Sequence, residues 1–227
     1  MRVLIGPLAE LRLQRPAAGV AERLAGLEGT VVSLRKAGVS DLSRPLSEAE
    51  VVLLREAILG SVSEPSLKAA RERKDPVGYV CAGSLVGGEA GTSAGGTTTL
   101  LAVTDHADLT WRSPLTGPND DLLGPRFPSM TGIYTPDVVM ERLEAGEDAA
   151  GPYVGGKGMI VVPGVVAGVI DDCRLSDHEA SVAAIAGCTG ASSELAPVAV
   201  IAAHLGLQVA AAVLTRFEGR EMSGGGS

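Results

Sequence analysis

Apolar positions along this chain fall into two kinds of segment, short continuous runs and stretches with helical spacing. Residues 3–5 and 30–34 are apolar runs, and between them residues 19–27 place apolar side chains at helical intervals, which predicts strand, helix, strand. Ser47 with Glu50 three positions later forms a capping box ahead of VVLLREAIL, a helix that stops at Gly60. Residues 77–84 and 97–103 are β-rich, 136–143 read as a short helix, and 161–170 form a strand region that contains Pro163-Gly164. A second capping box, Ser176 with Glu179, opens a helix running to Ala186 before Gly187. A helix over 195–204 and an apolar strand over 207–214 complete the pattern. Strands and helices alternate, and strands such as QVAAAVL are apolar throughout, as expected of a sheet covered on both faces. The predicted fold is α/β: one domain over residues 1–219, three-layer α/β/α around a mixed central sheet, followed by a flexible tail at 220–227.

Several stretches break the pattern. SPLTGPNDDLLGPRFPSM, residues 113–130, holds four prolines and two glycines in eighteen positions, so neither helix nor strand can run through it. Its apolar residues Leu115, Leu122, Leu123, Phe127 and Met130 argue for an ordered loop with a nearly fixed shape. GGEAGTSAGG, at 87–96, lets backbone amides approach a ligand closely, but it has neither a following lysine nor a GxGxxG pattern and reads as a connector. GEDAAGPYVGGKG, at 146–158, is a further loop. Lys68, Arg71, Arg73 and Lys74 sit together on what reads as a solvated helix.

Composition narrows the function classes. With 27 acidic against 19 basic residues the formal charge is −8, which disfavours nucleic acid and acidic membrane surfaces as partners. Cys81, Cys173 and Cys188 are odd in number and form no CxxC pair, so neither a disulfide framework nor a zinc site is indicated. His106, His178 and His204 lack ligand spacing, so no metal is expected. With no secretory leader and no apolar run of membrane length, the expectation is a cytoplasmic protein.

The proline-rich loop carries a resemblance. Asp105-His106 with Leu109, then Pro114-Leu115, Gly117-Pro118-Asn119-Asp120, Gly124-Pro125-Arg126-Phe127-Pro128 and Met130 are similar to the signature of the trimeric purine nucleoside phosphorylases, with a few residues missing between Leu109 and Pro114. A second region, GVVAGVIDDCRLSDHE at 164–179, is similar to the pattern of the same family at Gly164, Val165, Ala167, Gly168, Val169 and Glu179. The register continues through Pro197, His204, Gly206, Leu207 and Val209, so the resemblance spans roughly residues 85–215. It implies a nucleoside phosphorylase-like fold, a homotrimer, a nucleoside-like small-molecule substrate and no cofactor beyond inorganic phosphate as co-substrate.

The departures fall on positions that the resemblance would make functional. Leu175 stands where the family has its purine-recognising glutamate, and Phe217 at or beside its base-binding asparagine. Val166 replaces a tyrosine beside the ribose and Ser193 a methionine there. Apolar side chains cannot hydrogen-bond a purine edge, so 6-oxopurine specificity does not carry over. An early Gly-Ser-Gly turn and an Arg-x-His segment for phosphate are missing, as is the C-terminal helix of the family.

Ser193-Glu194 falls where related nucleosidases and hexameric phosphorylases of the same superfamily carry Met-Glu, which implies a grip of Glu194 on ribose hydroxyls; trimeric phosphorylases have a serine beside phosphate at that position. A carboxylate about 4 Å from phosphate opposes it by roughly 4 kcal/mol at an effective dielectric near 20. The alternative for Glu194 is a glutamate that complements the dipole of the helix it precedes. Glu218 lies, with a one-residue shift, where nucleosidases keep an acid that protonates the departing base. Phe127 is implied to close a neighbouring subunit's sugar pocket, its alternative being a buried loop anchor. His106 is a candidate base, or a residue that holds the loop. Three functions remain open: phosphorolysis of an N-glycosidic bond, its hydrolysis, or a noncatalytic or recruited protein for a less polar molecule suited by Val166, Leu175 and Phe217.

Overall fold

A computed structural model describes residues 1–86, 98–144, 159–171 and 175–215. The glycine-rich stretch at 87–96, the loop at 146–158, Cys173, Phe217, Glu218 and the tail lie outside the described residues. The elements run β1 (Arg2–Ile5), α1 (Pro7–Ala25), β2 (Thr30–Ser33), α2 (Glu48–Leu59), α3 (Glu64–Arg73), β3 (Val77–Leu85), β4 (Thr98–Asp108), α4 (Pro136–Glu144), β5 (Met159–Gly168), α5 (Asp177–Ile185), β6 (Gly190–Ser192), α6 (Leu195–His204) and β7 (Val209–Thr215). No helix among the described residues is long and apolar enough to cross a membrane.

The sheet is mixed, in the order β2-β1-β3-β6-β5-β4-β7, and a further pairing of β3 with β7 closes five of its strands into a ring. β1, β2 and β7 run parallel to β3, while β4–β7 and β3–β6 are antiparallel. Alternation along each strand separates two cores. Val3, Val80, Leu100, Ala102, Ala210 and Leu214 face α1 and α4. Leu4, Tyr79, Leu101, Val103, Ala211 and Val213 face α2, α3 and α6. β7 is buried along its whole length, which explains the unbroken apolar run seen there. The resulting α/β architecture, helices on both faces of a mixed sheet, is the one the alternating pattern predicts.

Both capping boxes form. Ser47 and Glu50 cap α2, Ser176 and Glu179 cap α5, and Gly60 ends α2 in the left-handed region at φ 85°. α1 is longer than its apolar spacing suggests because Pro16 sits inside it. The ring of a proline clashes with the preceding turn, and the helix accommodates it through a kink at Gln14. β6 is three residues long and too small to register as a strand in the sequence, yet it carries the chain into the site.

The proline-rich loop is docked against the C-terminal end of α6. His204 donates from Nδ1 to the Pro125 carbonyl at 3.0 Å, and Arg71 donates to the Leu123 carbonyl at 2.7 Å and the Leu205 carbonyl at 2.9 Å. Arg71 is therefore a clamp and not one of the solvated charges expected on α3. A side chain at Gly124 would run into the His204 carbonyl, so glycine is required there by the close approach of the loop to α6.

Candidate functional site

The carboxyl ends of β4, β5 and β6 converge beside the start of α6, and a shallow cleft open to solvent lies there. Its floor is Gly168, Val169, Ser192 and Ser193; Ala196 and Pro197 of α6 form one wall. The 42–46 segment and residues 110–114 supply the rim, including the guanidinium groups of Arg44 and Arg112. Ligands of open α/β sheets bind outside the carboxyl ends of the strands, so this is the place where the fold offers a site. Arg44 is held by Glu50, at 3.0 and 2.5 Å, whereas the Arg112 guanidinium donates to the Ser43 carbonyl at 2.8 Å and its amide to Thr110 Oγ1 at 3.2 Å. The pairing with Arg44 and Ser47 pulls the Glu50 carboxyl down to about 2.

Next to the cleft, Glu194 is wholly buried, with 0% of its surface exposed. It occupies the N-cap position of α6 without capping that helix. Its carboxylate instead reaches the start of α1, where Oε1 accepts from the Leu8 amide at 2.6 Å, while Oε2 accepts from the Ala82 amide of β3 at 3.1 Å. β1 ends at Ile5 and the Gly6 amide makes the last contact with β3, at the Val80 carbonyl, 2.8 Å. Ala82 then points to the side that β1 has left, and the glutamate satisfies it.

The surroundings hold this arrangement from every side. A Cβ at Gly6 would stand 2.7 Å from Glu194 Oε2 and 2.8 Å from the Tyr79 hydroxyl, so only glycine leaves room for the carboxylate. The Tyr79 hydroxyl donates to the Glu194 carbonyl at 3.2 Å. Ser192 Oγ donates to the Ala82 carbonyl at 2.7 Å and accepts from the Glu194 amide at 3.2 Å. Burial, and then the charge of Glu194, pushes the Tyr79 hydroxyl well above its ordinary range, so it stays a donor.

The residues singled out in the sequence divide sharply. Ser193 lines the cleft and is almost buried. The carboxylate of Glu194, expected at sugar hydroxyls or on the dipole of α6, accepts from two backbone amides, one of them in the first turn of α1. Val166 is fully buried in the core and lines no part of the cleft. Leu175 packs beside a small cluster around Ala167, Cys188 and Ala191. His106 Nδ1 lies 3.0 Å from the Tyr134 hydroxyl, the two rings meet edge to face at 5.6 Å, and burial lowers the imidazole pKa. Phe127 stands 87% exposed on the loop, so it is not a buried anchor, with the Arg126 guanidinium 6.0 Å from its ring. Phe217 and Glu218 lie outside the described residues.

Gly6, Tyr79, Ala82 and Ser192 were not legible as site residues. Ala82 acts through its backbone, Gly6 through its lack of a side chain, Tyr79 lies in an apolar strand, and Ser192 lies in a strand of three residues. The available signal was Gly6-Pro7 directly after a strand, a glycine followed by proline at the first helical position.

Solved structures supply a comparison at this point. A Schistosoma purine nucleoside phosphorylase in complex with hypoxanthine matches 95% of this chain and 75% of its own at 17% identity, with a TM-score of 0.58. Isoform 2 of the Schistosoma mansoni enzyme, in complex with cytosine and ribose-1-phosphate, matches 94% and 75% at 16% identity, with a TM-score of 0.59. The fold is nucleoside phosphorylase-like. A third Schistosoma mansoni structure, in complex with BCX-34, aligns at 22% identity with a TM-score of 0.47, over 61% of this chain, and there the chain spans about half (49%) of the length of its match. No protein-family model and no curated relative matches the sequence.

Proposed function

We propose that this chain is a nucleoside phosphorylase-like enzyme that binds a nucleoside-like small molecule in the cleft at the ends of β4, β5 and β6 and cleaves its N-glycosidic bond. The observation that carries the reading is the position of that cleft. It lies at the strand ends of a nucleoside phosphorylase-like fold, floored by Gly168, within the second resembling segment, and by Ser193, further along the same register. Gly168 matters because a side chain there would press on Ala196 of α6 and on Asp108, narrowing the cleft from below.

In this reading Ser193 contacts the sugar, and Phe127 of a neighbouring subunit closes the pocket in a homotrimer, presented by a loop whose prolines fix its shape. The glycosidic bond breaks through an oxocarbenium-like state, and Glu218 protonates the departing base. His106 serves the loop through Tyr134 and stays neutral near pH 7, its pKa lowered by burial. Leu175 and Phe217 in place of polar base contacts suit a base with fewer hydrogen-bonding groups than a 6-oxopurine. The attacking group is phosphate in the family that the chain resembles.

Incubation of purified protein with a panel of purine and pyrimidine nucleosides, with and without phosphate, tests the reading. Release of free base from at least one member is the expected result. An absence of turnover across the panel at micromolar enzyme would sink the catalytic reading.

A further inference from the structure

Glu194 does not line the cleft, yet its carboxylate is wholly buried. A buried carboxylate is costly unless it is fully hydrogen-bonded. Here two backbone amides from different elements converge on it, the Leu8 amide in the first turn of α1 and the Ala82 amide beyond the end of β1. Together with the space left open by Gly6 and the helix dipole of α1, these groups form a receptor for an oxyanion. The chain fills that receptor with a side chain of its own.

From this geometry we infer that Glu194 is a built-in oxyanion: it occupies the amide seat between α1 and β3 and keeps free phosphate out of it. Two anions cannot share the seat, because its two amide donors are taken and the charges repel. The inference deepens the glycosidic-cleavage reading and rests on it for one consequence only, the choice of nucleophile. With the seat filled, water attacks the anomeric carbon. The carbon–nitrogen bond breaks with its electron pair left on the base nitrogen, which takes up a proton. The water oxygen bonds the anomeric carbon and releases a proton to solvent, so free base and free sugar are the products.

The seat itself is testable without turnover. Wild-type protein, titrated with inorganic phosphate against chloride at equal ionic strength, should show no saturable rise in Tm. Glu194→Ala empties the seat and removes the acceptor of the buried Ala82 amide and of the part-buried Leu8 amide, so phosphate should restore stability to it. A rise of roughly 3 °C is expected at phosphate about ten times its Kd. Glu194→Ser, which leaves a hydroxyl in place of the carboxylate, serves as the second variant should the alanine protein not fold, and the same rescue is expected of it. A phosphate-dependent rise in wild type as large as in the variants would overturn the inference, and so would folded variants that phosphate does not stabilise. Phosphate rescue without turnover of any nucleoside would leave the seat assignment standing and remove only the consequence for the nucleophile.

Discussion

The proline-rich loop and the Glu194 seat lie at opposite ends of α6 and solve opposite problems. The loop spends its sequence on shape and presents Phe127 and Leu122, at 87% and 79% exposure, to the outside. The seat spends its sequence on burial, and every group in it turns inward to a partner on another element. The loop is therefore locally encoded and outwardly directed, while the seat is non-local: Leu8, Ala82 and Glu194 stand 186 and 112 residues apart in the pairs that meet. The lesson is that the loudest motif in the chain marks the surface, and the chemically decisive polar group is the quiet one.

Substitutions should separate the two regions by size of effect. The largest belongs to the seat. Glu194→Ala strands the buried Ala82 amide and the part-buried Leu8 amide, so a loss of roughly 1–4 kcal/mol in urea denaturation is expected. A loss below about 1 kcal/mol would mean that the amides find other partners. At the junction of the two regions, Gly124→Ala drives a methyl group into the His204 carbonyl and should cost about 1–3 kcal/mol as the loop lifts from α6.

His204 adds a pH dependence to the same junction. Its Nδ1 donates to Pro125, and its buried Nε2 has no hydrogen-bond partner among the described residues. Burial lowers its pKa, and Arg55 and Arg71 lower it further, against the opposing Pro125 carbonyl and Asp120. The folded protein therefore holds the imidazole neutral where the unfolded chain, titrating near 6.5, already binds a proton. Stability contributed by the neutral form is present above about pH 6.5 and is lost as pH falls below it, by about 1.4 kcal/mol for each pH unit in which only the unfolded state is protonated. His204→Asn should flatten that acid limb of the stability profile, and an unchanged slope would assign the effect to other groups.

How much of this was legible follows the same divide. The capping boxes at Ser47 and Ser176 and the apolar run of β7 are local signals, and the structure realises each of them. The docked loop was legible because proline and glycine restrict the backbone wherever they occur. Ser193 was placed at a site by its neighbourhood in a resembling segment. The bonding of Glu194 was not legible, because a glutamate ahead of a helix normally serves that helix, and nothing near it in sequence indicates that α1 ends its approach beside it. Closure of the sheet through β3 and β7 was hidden for a like reason, since strand pairing over such separations leaves no local trace.

The smallest effect on the isolated subunit is expected from Phe127→Ala. With the ring exposed, its removal should change folding stability by no more than about 0.5 kcal/mol. In light scattering the same substitution should weaken the proposed trimer, and a wild-type protein that is monomeric at high concentration would remove the loop's proposed role at a neighbour's pocket.

The identity of the sugar released by the wild-type enzyme tests the central claim most directly. With a nucleoside that the protein turns over, the account predicts free sugar as product, formed at the same rate in phosphate buffer and in phosphate-free buffer. Sugar 1-phosphate, formed only when phosphate is present, would contradict it.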